Sequence, residues 1–124
     1  MGLLSIFSKT GRDKNMVIDI SRSHISKVLE EKNRIESNAE KIEHLMLLAE
    51  KYPDFYDQLS EIFIDVKYSN PVVNNDIKIL DEQIASKLDD LTLLLSKTRI
   101  RSDLAVNHSL RDIKELIHKR EMKE

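Results

Sequence analysis

The chain has no cysteine and no tryptophan, two glycines, two prolines, three tyrosines and three phenylalanines in 124 residues. Without cysteine, disulfides, thiolate chemistry and cysteine-based zinc sites are excluded, and a reducing compartment is compatible. So few glycines and prolines cannot supply the frequent turns of a β-sandwich or barrel. No charge of one sign dominates: 20 basic residues face 22 acidic ones. The basic excess usual for a nucleic-acid-binding domain is therefore missing. Long apolar runs are missing too, since Leu45–Ala49 and Leu93–Leu95 fall far short of the ~20 residues that span a bilayer. The N-terminus lacks the basic and apolar stretches of a secretory signal. The location expected by default is cytoplasmic.

What the chain does have is apolar residues at helical spacing. Leu, Ile, Val and Phe make up nearly a third of it, enough to exclude disorder throughout. The length suits one domain, read as residues 17–124, preceded by a linker at 10–16 that holds Gly11 and by a short amphipathic segment at 1–9. Ser21 or Ser23 is placed to cap a first helix. Ile25, Val28, Ile35, Ala39, Ile42, Met46 and Ala49 follow as a heptad-like seam broken only by Lys32. Pro53 interrupts this helix and suits the first turn of the next. That second helix carries Phe55, Leu59, Ile62, Phe63 and Val66 on one face, with Ile64 and Tyr68 opposite, and stops at Asn70-Pro71. Asn74 or Asn75 caps a third helix. From there neither glycine nor proline occurs, and a stripe of period 3.6 runs through Ile77, Leu80, Ile84, Leu88, Leu91, Leu95, Val106, Leu110, Ile113 and Ile117. It turns polar only around Thr98, Arg99 and Ser102.

These periods predict an all-α fold. The first two helices, ~46 and ~25 Å long, together nearly match an unbroken return helix of roughly 70 Å. That equality favours a long antiparallel helical hairpin whose first arm is kinked at Pro53. The alternative breaks the return arm near 98–103 and gives a four-helix bundle. Both bring the run at Leu47 and Leu48 near the run at Leu93 and Leu94. Each run is apolar around its whole helix and needs cover on more than one side. In the hairpin a second copy or another protein must provide it, with the acidic half of one return arm against the basic half of the other.

Little in the sequence points to chemistry. Among the histidines His24, His44, His108 and His118, only His118 stands in a Glu-x-x-His element, with Glu115. A carboxylate di-metal bundle needs two such elements and two further glutamates, so a lone match reads as helix surface. The pairs Glu30-Glu31 and Asp89-Asp90 read as solvated faces rather than acid–base groups, which need a pocket. Arg99, Arg101, Arg111, Lys114, Lys119 and Arg120 are the cations available for phosphate, but acids interleave them and no aromatics accompany them. No catalytic residue, metal site or cofactor is assigned.

The candidate sites are surfaces. Leu3, Leu4, Ile6 and Phe7 fall on one arc of a helix, with Lys9, Arg12 and Lys14 following. This is the pattern of a weak interfacial membrane helix, or of a segment that docks on a protein. Gly2 does not make a myristoylation signal, because Ile6 stands where Ser or Thr is wanted. Tyr68, Val72 and Val73 at the tip are candidate interface residues, together with Leu47, Leu48, Leu93 and Leu94. The reading that follows is a non-enzymatic interaction or scaffold module that self-associates and binds protein but not nucleic acid. Second to it stands a peripheral protein held at the inner membrane surface by residues 3–7, and a metal-binding bundle enzyme is third.

Overall fold

The structure is a computed structural model that describes residues 12–96 and 103–124. The described residues form four helices, α1 (Arg12–Leu48), α2 (Pro53–Lys67), α3 (Asn75–Ser96) and α4 (Asp103–Lys123), and contain no strand. The all-α expectation holds.

Local chemistry sets most of the boundaries. No glycine or proline lies between Arg12 and Tyr52, and α1 accordingly starts at Arg12, ahead of the expected caps at Ser21 and Ser23. Residues 12–16, read from the sequence as linker, belong to it. The helix ends at Leu48, a turn spans residues 49–51, and Tyr52 is extended (φ −124, ψ 85) ahead of Pro53, which opens α2. After Lys67 the helix closes with the Tyr68 N–H donating to the Ile64 carbonyl at 3.1 Å, and Asn70-Pro71 follows. Asn74 caps α3, its Oδ1 accepting from the Asp76 N–H at 2.7 Å.

Directions follow from the side chains that meet. Asp81 meets Arg120 at 2.7 Å and Lys87 meets Asp112 at 3.6 Å, so α3 and α4 are antiparallel. Asn38 and Lys41 of α1 meet Asp81 and Asp89 of α3, so this pair is parallel. Gln58 meets Lys114 and Asn70 meets Glu124, which makes α2 parallel to α4 and antiparallel to α1. The packed pairs are α1–α2, α1–α3, α3–α4 and α2–α4. They form a closed ring with α1–α4 and α2–α3 on the diagonals.

This is the arrangement of the four-helix alternative. On an unbroken return helix, Asp81 and Arg120 would lie about 58 Å apart, yet they form an ion pair. Pro53 likewise starts a helix that runs back along α1 instead of kinking a continuous arm. The acid-to-base complementarity expected between two copies is met inside one chain, by Asp81–Arg120 and by Asp76–Lys123 at 3.5 Å.

The core follows the predicted stripes on α3 and α4, and on α2 except at Phe63, which is half-buried. Every stripe residue from Ile77 to Ile117 is buried, as are Phe55, Leu59, Ile62 and Val66 of α2. The seam is buried at Ile35, Ala39 and Ile42 and again at Ala49 just past α1, but Met46 and Val28 are only half-buried, Leu45 takes the core position beside Met46, and Ile25 and its neighbour Leu29 are more than half exposed. The seam's first turns therefore project past the partners that cover the rest. Ile84→Ala, in the core, is expected to destabilise the fold by about 2–5 kcal/mol. Ile79→Ala, on the exposed side of the same helix, should stay within about 0.5–1 kcal/mol. Urea denaturation of the two variants measures the contrast.

Candidate functional site

The buried stripes are interrupted at three places by charge. Glu31 lies four residues before Ile35 on α1, Asp81 four after Ile77 on α3, and Arg120 three after Ile117 on α4. Each keeps the phase of its apolar stripe, so each is carried into the bundle: Glu31 is 0% exposed, Arg120 2% and Asp81 3%. Arg120 Nε donates to Asp81 Oδ1 at 2.7 Å, and one Nη donates to Glu31 Oε2 at 3.2 Å and to the Asn70 carbonyl at 2.9 Å. The other Nη donates to Glu124 at 2.8 Å. Arg34 donates to Glu31 from the more exposed side at 3.1 Å, and the Asn38 amide donates to the Asp81 carbonyl.

The cluster holds two fully buried carboxyls against one fully buried guanidinium. Burial, and then the hydrogen bond to the Glu31 carboxyl, push Asp81 up to about 7 against the pull of Arg120. For Glu31 burial acts upward as well, but hydrogen bonds with Asp81, Arg34 and Arg120 outweigh it and hold the group below the usual range. Arg120 is raised, since its two carboxyl partners overcome desolvation. Two carboxylates facing each other are both acceptors and cannot bond without a proton. Asp81 Oδ2 is buried with no hydrogen-bond partner, and a proton shared by the pair would supply one. The neighbouring cavity, lined by Glu30, Arg34, Val73 and Lys78 among others, does not reach Glu31, Asp81 or Arg120. The two acids face one another and an arginine.

A second feature lies at the opposite end of the bundle. Where α1 ends and α2 begins, Met46, Leu47, Pro53 and Tyr56 line a groove of about 530 Å³, flanked by Glu43, Glu50 and Asp57. Leu47 is 71% exposed although its neighbours Leu45 and Ala49 are completely buried. This open apolar floor between carboxylates is the candidate binding surface.

The other sequence candidates are scattered. Leu93 is 68% exposed and Tyr68 74%, while Leu48 and Leu94 pack partly against the core. Val72 is half-buried and Val73 exposed beside it. Leu3, Leu4, Ile6 and Phe7 lie outside the described residues, as do Arg99 and Arg101. Glu115 and His118 are exposed, and no metal-binding cluster occurs among the described residues. Glu31 corrects the expectation of a solvated Glu30-Glu31 face, and Arg120 is a buried ion-pair partner instead of a surface cation. Both were discoverable from phase: the α1 stripe passes through Glu31, not Lys32. No described helix is long and apolar enough to cross a membrane. Comparison of the chain with known protein families, curated proteins and solved structures finds no match.

Because Asp81 binds its proton more tightly folded than unfolded, its contribution to stability is fully present below its ordinary range. That contribution fades as the pH rises through about 7. Glu31 acts oppositely and only at lower pH, its contribution being lost as the pH falls through its depressed value. The melting temperature should therefore decline between pH 5 and about 8, and Asp81→Asn should flatten that decline. Arg120→Met should cost about 3–5 kcal/mol, since it strands two buried carboxyls. Thermal melts across this pH range read both effects.

Proposed function

We propose that this chain is a non-enzymatic helical interaction module that associates with further copies of itself and serves as a cytoplasmic adaptor or scaffold. The groove between α1 and α2 is the observation that carries the reading. Isolated exposed leucines are ordinary on soluble proteins. Leu47 is different because it shares an open recess with Met46, Pro53 and Tyr56. An apolar floor inside a polar rim is the anatomy of a protein-docking surface.

The chemistry favours protein over other ligands. Arg111, Lys114 and Lys119 are interleaved with acids, and Arg120 spends its charge on Glu31 and Asp81. Nothing there resembles a phosphate-binding stripe. The buried carboxyls are occupied with each other, which speaks for a structural role over an acid–base one. A bundle covers its own core, so association here is a matter of surface and not a requirement for folding.

Size-exclusion chromatography with light scattering checks the proposal. The molar mass should rise from 14.5 kDa toward multiples of it as the concentration is raised through the micromolar range. A mass fixed at 14.5 kDa throughout would remove self-association from the reading.

A further inference from the structure

We infer that the acid-flanked groove between α1 and α2 seats the N-terminal segment, residues 3–7, of a second copy, so that copies join head to tail. The inference rests on the self-association reading and gives it an address.

Chemistry matches the two parts. The groove offers Met46, Leu47 and Tyr56 as floor and Glu43, Glu50 and Asp57 as rim, with no basic residue lining it. The segment offers the complement: Leu3, Leu4, Ile6 and Phe7 recur at helical spacing, and Lys9, Arg12 and Lys14 follow. No acidic residue precedes Asp13. Apolar side chains would fill the floor while the bases meet the carboxylates, an arrangement that fixes direction as well as contact.

Chain length decides between the chain's own segment and another copy's. Leu47 lies 35 residues beyond Arg12 on one uninterrupted helix, a distance of about 52 Å. Leu3 is nine residues before Arg12, and nine residues extend to at most about 32 Å. The segment cannot fold back to its own groove. It also starts from the right place to meet another molecule, since α1 runs on past the bundle and every described residue from Arg22 to Lys27 is exposed. The groove thus lies at the C-terminal end of α1, whereas the segment precedes its N-terminal end in sequence. Two unlike surfaces that fit each other make a heterologous contact, which propagates as an open chain or closes as a ring.

The test uses the full chain in four samples: wild type, Leu47→Glu, Phe7→Glu, and an equimolar mixture of the two variants. Sedimentation velocity should show wild-type species growing beyond the dimer with concentration. Each variant alone should associate at least tenfold more weakly, as expected for loss of a central apolar anchor. The mixture should regain one joint and stop at a heterodimer, because the groove of Phe7→Glu is intact and so is the segment of Leu47→Glu. Glu50→Lys, a rim reversal that leaves the floor unchanged, should weaken wild-type association in the same direction, and added salt should do likewise. Equal melting temperatures of the variants separate lost contact from lost fold. If both variants associate like wild type, copies join elsewhere: the self-association reading survives and this inference falls. If only Leu47→Glu loses association, the groove has another occupant and the inference falls. If Phe7→Glu abolishes binding to anionic phospholipid vesicles while association is untouched, the segment serves a membrane instead. A wild type that stays monomeric removes both readings.

Discussion

Arg120 is a guanidinium almost fully withdrawn from water, and the bundle has to answer for its charge from three directions. α3 supplies Asp81, the connection after α2 supplies the Asn70 carbonyl, and α1 supplies Glu31 across the diagonal of the ring. Those partners are 39, 50 and 89 residues away in sequence. Apolar stripes of period 3.6 leave helix register loosely specified, because sliding by one turn still sets apolar against apolar. A buried charge does not tolerate such a slip, since it would leave an ion without a partner. We therefore read the cluster as the element that fixes how far each helix is slid along its neighbours. Its position supports this, at the end of the bundle where the chain passes from α2 into α3 and where α4 stops.

The same cluster carries one more acid than it needs. A single buried carboxylate would balance Arg120, and the second has to hold a proton or be repelled. Glu31 has the additional help of Arg34 from the surface, and of the two acids it is Asp81 whose pKa is pushed up, to about 7. The position of Arg34 on α1, one turn from Glu31, thus favours charge on Glu31. Local helix spacing and long-range packing meet in that one choice.

Most of the fold was legible because it is made from periodic repetition and a few punctuation residues. The stripe from Ile77 to Ile117 marks the buried faces of α3 and α4, Pro53 marks the start of α2, and the pair Asn74 and Asn75 brackets the cap of α3. Where reading failed, the signal was of another kind. The start of α1 was placed at a serine because serines cap well, but capping ability does not end a helix, and nothing between Arg12 and Tyr52 does. Equality of summed lengths favoured a hairpin, although length says nothing about whether a polar gap without glycine or proline interrupts a helix. The groove was half legible: the run from Leu45 to Ala49 is apolar around its whole helix and so marks Leu47 as a surface in need of cover, but the sequence alone could not show that Pro53 and Tyr56 would be folded against it. The ion cluster is not visible in charges taken as neighbours along the chain, such as Glu30 with Glu31; its signal is the phase that Glu31, Asp81 and Arg120 each share with the apolar stripe of its own helix.

Finding a bundle changes the physical case for association. In a two-helix rod the runs at Leu45–Ala49 and Leu93–Leu95 need an outside partner to be covered at all. In the ring, Leu45, Ala49 and Leu91 are completely buried and Leu95 nearly so, all by residues of the same chain. What is left over is narrower: Leu47 on one face and Leu93 on another, each turned away from a core that is already closed. Such leftovers are not demanded by folding, and a polar residue at either position would satisfy the bundle equally well. Both runs therefore hold one more leucine than packing requires. At Leu47 that surplus coincides with a recess and a rim of carboxylates. The argument for a binding surface is thus strongest where an unneeded apolar side chain and a shaped, charged surrounding occur together, and that is the junction of α1 and α2.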